Sequence, residues 1–250
     1  MTSAAESRLS AEVQAYFDTT AASYDQAYKD SGPAGRVLRR RAAAALGLLG
    51  SAPGDVLDVG MGAGFLCGEL DRRGWVVSGV DIAPAMVEGA RARLPHRHAA
   101  LSQASIHSLP FENERFDAVV ATGVLEYAVD DLEGAVRELV RVLERGGVAV
   151  VSYPNHRAPT TVWRGRVVYP LVRAAKRALP TGRPAPPRVT AVAFDRVEQA
   201  LAAEGMTIET VVPVGVRPAP ARLARRIERA NPRLARVLAV QLVLRARKDR

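Results

Sequence analysis

The sequence predicts an α/β chain built on a doubly wound, mostly parallel sheet. Three observations carry that prediction. The apolar run Val56-Leu57-Asp58-Val59 enters three glycines at alternate positions, Gly60, Gly62 and Gly64. A second apolar run, Val76-Val77-Ser78-Gly79-Val80, ends in Asp81. From Asp55 to Ser152 strand-like runs alternate with helical patterns, as in parallel strands joined by right-handed crossovers.

The elements follow in order. Leu9 to Tyr24 reads as a helix, with Val13, Tyr16, Phe17 and Ala21 at helical spacing. A second helix spans about Ala34 to Leu49 and is stopped by Gly50, Pro53 and Gly54. Strand one is Asp55 to Val59. The helix after the glycines ends at Arg72-Arg73-Gly74, cations and then glycine. Strand two is Val76 to Val80. Pro84 suits a first helical position, and that helix runs to about Leu94. His98 to Ala104 is a weak third strand. Phe116 to Ala121 is a fourth, apolar almost throughout, as a strand buried on both faces should be.

Asp130 or Asp131 caps the next helix. Leu132, Ala135, Val136, Leu139, Val140 and Leu143 form its apolar stripe, and Gly146-Gly147 ends it. Val148 to Ser152 is the fifth strand. From Tyr153 to Val189 seven prolines break the rhythm, which predicts a loop-rich insertion around one helix, about Thr161 to Leu179. Asp195 and Glu198 have capping-box spacing for a helix ending at Gly205. Met206 to Val212 is a sixth strand. Residues 219–235 predict one or two basic helices broken at Pro232, and Val237 to Arg247 a seventh strand.

Composition sets the outer bounds. At 250 residues and 48% hydrophobic, the chain suits a single domain with a sizeable core. The polar first residues do not read as a secretory signal. The longest apolar run, Val237 to Leu244, is too short to span a bilayer. A single cysteine, Cys67, leaves no internal disulfide and reads as a small core residue. A cytoplasmic location is expected. The net charge of +9 is unevenly spread. Residues 1–156 hold 15 Lys/Arg and 20 Asp/Glu, whereas residues 157–250 hold 20 and 6, a net of +14. Only Trp163, Tyr169 and Phe194 could stack on bases there, so no nucleic-acid partner is expected. An anionic or membrane-embedded substrate suits the charge at least as well.

A strand, a glycine loop, a helix and an acidic strand end together frame an adenosine-type cofactor. Spacing separates one cofactor from another. The dinucleotide fingerprint would place its third glycine at position 65, which is Phe65; here it comes one residue early. The run Asp58-x-Gly60-x-Gly62-x-Gly64 resembles motif I of the class I S-adenosylmethionine (SAM)-dependent methyltransferases. Further segments carry the same likeness: Gly79-Val80-Asp81-Ile82-Ala83-Pro84-Ala85-Met86, Ser108-Leu109-Pro110-Phe111 with Phe116-Asp117, Thr122-Gly123-Val124-Leu125-Glu126-Tyr127, Arg141 to Gly147, and Phe17 to Asp25. The chain is similar to the small-molecule type, notably the ubiquinone-biosynthesis methyltransferases, strongly over residues 13–155 and weakly beyond.

The resemblance implies a seven-stranded Rossmann-like sheet with its last strand antiparallel, an N-terminal helical cover over residues 1–50, and a substrate-side insertion at 153–190. It implies SAM as cofactor, with Asp81 on the ribose hydroxyls and Asp58 toward the methionyl amine. The other cofactor-binding residues it implies are Tyr24, Gly60, Gly62, Gly64, Ile82, Met86, Ser105, Ile106, Thr122, Gly123 and Leu125. Family members usually carry an acid near position 105; here Ser105 brings a hydroxyl without charge, so Ile82 and Ile106 would carry more of the adenine contact.

Methyl transfer needs a nucleophile in line behind the methyl group and water kept out. A hydroxyl acceptor also needs a base. His156, past strand five, His107 and Tyr127 are the candidate catalytic residues; Glu126 lies beside the last. No cluster with metal-ligand spacing occurs. The expected reaction is methylation of a small hydrophobic or aromatic metabolite, most simply on oxygen, with nitrogen and carbon open. The alternatives are a SAM-binding cyclase or other non-methylating enzyme on the same fold, and an NAD-dependent oxidoreductase, which Phe65 argues against. The basic insertion helix reads either as a solvated surface helix or as a face for a membrane or lipid-like substrate.

Overall fold

The computed structural model describes residues 4–51, 54–168, 193–216 and 232–249, with isolated positions at 170, 171, 174 and 187. Two helices come first, α1 (Ala4–Lys29) and α2 (Pro33–Leu49). The alternating part then runs β1 (Asp55–Val59), α3 (Phe65–Asp71), β2 (Val76–Asp81), α4 (Pro84–Arg93), β3 (Leu101–Gln103), β4 (Phe116–Thr122), α5 (Leu132–Arg141) and β5 (Leu143–Pro154). A short helix α6 (Pro159–Trp163) follows, then α7 (Phe194–Ala203), β6 (Met206–Val216), α8 (Pro232–Leu238) and β7 (Ala239–Lys248).

The seven strands lie in the order β3-β2-β1-β4-β5-β7-β6. The pairs among β1 to β5 are parallel, and β7 runs antiparallel to both β5 and β6. Because β1 has β2 on one side and β4 on the other, the chain's winding reverses there. A crevice opens at the carboxyl ends of strands at such a reversal.

The apolar patterning explains the layers. Strand β1 is buried on both faces, so its run has no polar alternation beyond Asp58. One face of the sheet packs on Leu132, Ala135, Val136, Leu139 and Val140 of α5 and Val197 and Leu201 of α7. The other packs on Ala42, Ala45 and Leu49 of α2, Leu66 and Leu70 of α3, and Val87 and Ala90 of α4.

Several expectations shift. Asp131, rather than Asp130, caps α5: its Oδ1 accepts from Gly134 N at 2.9 Å. That helix stops at Arg141, and Leu143 already pairs with Phe116, so Glu144 to Gly147 bulge out before Val148 meets Ala118. The third strand is shorter than expected, because Pro95–Ala100 forms a 3-10 turn first. The capping box at Asp195 does not form: the cap is Ala193 with no side-chain bond, and Asp195 pairs with Arg157 instead. Pro232 opens a helix instead of breaking one. Residues 169, 172, 173 and 175–179 of the expected insertion helix, and most of the basic stretch 219–235, lie outside the described residues.

Candidate functional site

The glycine loop leaves β1 with Gly60 and Met61 both donating their N–H groups to Val80 O, at 2.8 and 3.0 Å. Its glycines are demanded by packing and by left-handed backbone. At Gly60 (φ +71) a Cβ would lie 2.2 Å from Val124 Cγ2, and at Gly64 (φ +76) one would lie 3.0 Å from Ala90. The loop is thus wedged between the segment after β4 and helix α4. At Gly62 (φ +55) a Cβ would make only ordinary contact, 3.5 Å from the Tyr24 ring.

Asp81, at the end of β2, is buried. Its Oδ2 accepts from Gly62 N at 2.8 Å and its Oδ1 from Ala83 N at 3.0 Å. Burial raises its pKa, and the two amides pull it partly back. Asp58 lies deeper, with Cys67 Sγ donating to its Oδ2 at 3.3 Å. With a thiol for its partner, burial lifts this carboxyl to about 7. Cys67 is buried, as its reading as a core residue required, and it also serves Asp58.

A cleft with about 710 Å³ of empty space, its open mouth included, lies over these strand ends. Twelve of the expected residues line it: Tyr24, Gly60, Gly62, Asp81, Ile82, Met86, Ser105, Ile106, His107, Thr122, Gly123 and Tyr127. Asp58, Gly64 and Leu125 stand behind the wall; Leu125 is fully buried in the core. His156 is also away from the lining, and its Nδ1 is buried without a hydrogen-bond partner. Helix α1 roofs the cleft with Ser10, Val13, Phe17 and Tyr24. Phe17 meets Tyr127 edge to face at 5.5 Å between ring centres.

Besides Asp81, the polar ring of His107 lines the cleft, and Arg41 stands behind its wall against Gly123. His107 Nε2 lies 3.1 Å from Asp131 O. A carbonyl can only accept, so Nε2 carries the hydrogen and Nδ1 is left as the basic nitrogen of the neutral ring. Arg41, on α2, is buried, and its hydrogen-bond partner is Tyr24 Oη at 3.4 Å. Glu126 is buried nearby with Oε2 unpartnered, and burial raises its pKa to about 7 against the pull of Arg41.

Sequence reasoning missed Arg41. It ends the run Arg39-Arg40-Arg41, which looks like a solvated face. Its only signal was phase, since Arg41 stands one residue before Ala42 and four before Ala45 of the buried stripe. Ser10 carried no signal at all.

The arrangement suits a nucleoside with a charged amino-acid arm. Asp81 is oriented by two amides and keeps lone pairs for a diol, and Arg41 has donors to spare for an anion.

Residues 57–151 match the methyltransferase domain family. A demethylmenaquinone methyltransferase of Tropheryma whipplei is 32% identical over 169 residues, 66% of this chain and 70% of that one. A malonyl-[acyl-carrier protein] O-methyltransferase of Serratia marcescens is 33% identical over 153 residues, 61% of this chain and 56% of that one. In fold, the chain is similar to a 1,6-didemethyltoxoflavin-N1-methyltransferase of Burkholderia thailandensis solved with S-adenosylhomocysteine. The TM-score is 0.64 at 18% identity, over all of this chain and 93% of that one. The chain belongs to the class I methyltransferases of the small-molecule type, and S-adenosylmethionine is its cofactor.

Proposed function

We propose that the protein methylates an oxygen of a small hydrophobic or aromatic acceptor held beneath α1. The observation that carries this reading is the mixed lining of the cleft. Gly60, Asp81 and Ser105 share it with the apolar and aromatic side chains of Val13, Phe17, Val124 and Tyr127, and the oriented His107 stands among them. When bound, SAM supplies a methyl group on positively charged sulfur, so the chain's task is positioning and proton removal.

In this reading Asp81 takes the ribose hydroxyls, Ile82 and Ile106 flank the adenine, and Ser105 faces its edge. Met86, Thr122 and Gly123 line the path to the methionyl arm, with Gly64 and Leu125 holding the wall behind. Arg41 and Tyr24 receive the carboxylate, and Asp58 sits toward the amine. His107 Nδ1 removes the acceptor's proton, and Tyr127 orients the ring. His156 has no part in the chemistry. The named relatives are a demethylmenaquinone methyltransferase and a malonyl-[acyl-carrier protein] O-methyltransferase, and the aromatic lining of the cleft favours an apolar or aromatic acceptor.

The test is turnover with labelled SAM and a panel of quinols, phenols and carboxylic acids. Label in an ether linkage, with stoichiometric S-adenosylhomocysteine, is the expected result. Consumption of an acceptor without S-adenosylhomocysteine would point to the cyclase alternative; a [4+2]-cyclase shares the fold, with a TM-score of 0.58 at 19% identity.

A further inference from the structure

Six large apolar side chains stand exposed in two short segments: Val162, Trp163, Val167 and Leu171, and then Leu234 and Val237. Among the described residues only one other large apolar side chain, Val76, is exposed, so the exposure is concentrated. Trp163 is 60% and Leu171 66% accessible.

The two segments meet at one corner of the molecule. Asn155, at the carboxyl end of β5, donates from Nδ2 to Arg236 O at 2.6 Å and to Ala239 O at 2.9 Å. Its own carbonyl accepts from Ala158 N at 3.2 Å. This buried amide therefore ties the end of α8 to the start of α6. Strand β5 reaches the corner from the cleft end of the sheet, where Ser152 pairs with Thr122 of the cleft wall.

The corner is also basic. Arg166 and Arg236 are exposed, and neither guanidinium has an ion pair or hydrogen bond among the described residues. Other arginines of the same half are engaged: Arg196 on Glu133, and Arg245 and Arg247 on Glu209. An exposed indole, aliphatic side chains and uncommitted cations are the chemistry of the bilayer interface. There tryptophan sits at headgroup depth and arginine meets phosphate. No described helix is long and apolar enough to cross a membrane, so such contact is peripheral.

We infer that this corner docks the protein on an anionic lipid surface, with Trp163 and Leu171 entering the interface and Arg166 and Arg236 on headgroup phosphates. A second copy of the chain fits less well, because two such corners would bring like charges together. The inference leans on the hydrophobic-acceptor reading in one respect: a bilayer is where such an acceptor collects.

The experiment uses the full chain, vesicles of phosphatidylcholine alone and vesicles containing phosphatidylglycerol, read by cosedimentation and tryptophan emission. Trp75 is 5% accessible, so an emission shift belongs to Trp163. The protein should sediment with the anionic vesicles, shift its emission to the blue, and release in high salt. Trp163→Phe should lose the shift. Arg166→Gln with Arg236→Gln should weaken partition about thirty-fold, taking about 1 kcal/mol for each basic residue at the surface. Unchanged SAM binding would confirm that the variants are folded. Absence of partition, or equal partition on neutral vesicles, would overturn the inference. So would a blue shift that grows with protein concentration without lipid, which assigns the corner to a second copy. Vesicle binding needs no acceptor. Docking without methylation of any hydrophobic acceptor would therefore remove the acceptor and keep the docking surface, and methylation without docking the reverse.

Discussion

Arg41 of α2 packs against Gly123 at the end of β4 so closely that a Cβ on the glycine would lie 2.3 Å from Arg41 Nη1. The contact sets a buried cation directly behind the cleft wall. The main chain at Gly123, with φ +79, turns away without a side chain, and the guanidinium occupies the space. Tyr24 then closes over it from α1.

Gly123→Ala tests that fit. The substitution sets a side chain in left-handed backbone, at about 1–2 kcal/mol, and displaces the guanidinium besides. Thermal unfolding should move down by several degrees. SAM affinity by calorimetry should fall at least about tenfold, which is about 1.4 kcal/mol of lost anchoring. Arg41→Lys should reproduce the affinity loss with less loss of stability. If Gly123→Ala binds SAM as the parent does, Arg41 is not an anchor of the methionyl arm.

Much of this site was legible in the sequence, and the exceptions have physical reasons. The strand, glycine and acid pattern around Gly60 and Asp81 is local, so a single pass along the chain finds it, and all of β1 was placed to the residue. Arg41 was invisible because its burial depends on α2 crossing the ends of β4 and β5 far along the chain. Asp195 looked like a cap because spacing alone cannot see Arg157 waiting across the loop. In sequence His156, just past strand five, looked the better placed of the two histidines. The Asp131 carbonyl orients His107 at the cleft, while His156 lies away from the lining.

Glu126 should make stability depend on pH. Burial raises its folded pKa to about 7 from the ordinary 4.5, so the folded state holds the proton more tightly. Its stabilising contribution is whole below the unfolded pKa and is lost as pH rises toward 7, with no further loss above. Asp58, raised to about 7, acts in the same direction. Glu126→Gln should flatten part of the decline measured by urea unfolding between pH 4.5 and 7, and should be more stable than the parent at pH 8 by about 2 kcal/mol. A parent protein whose stability rises through that window on account of these groups would contradict the assignment.

Asp18 latches the roof. Helix α4 has no side-chain cap of its own, and Asp18 Oδ1 of α1 accepts from Ala85 N in its first turn at 2.9 Å. Losing a cap costs about 1 kcal/mol. Here that loss falls on the contact that holds α1 over the cleft. Asp18→Ala should speed SAM dissociation about five-fold in stopped-flow measurements and raise amide exchange in α1 while leaving β1 and β4 protected. An unchanged dissociation rate would mean that the packing of Val13 and Phe17 alone keeps the roof shut.

The sharpest separation concerns the two histidines. His107 has its tautomer set by Asp131 O and stands in the cleft, and in the proposed reaction its Nδ1 is the base for an acceptor hydroxyl. His156 is away from the lining, beside the Asn155 bridge. His107→Ala should lower kcat by about 10²-fold or more with SAM affinity unchanged, the size expected for removing a general base. His156→Ala should leave kcat within about threefold and act instead on thermal stability. Phenol acceptors with electron-withdrawing groups are already ionised near neutral pH and need no base. They should recover most of the rate lost in His107→Ala, and that recovery distinguishes proton removal from a role in shaping the cleft.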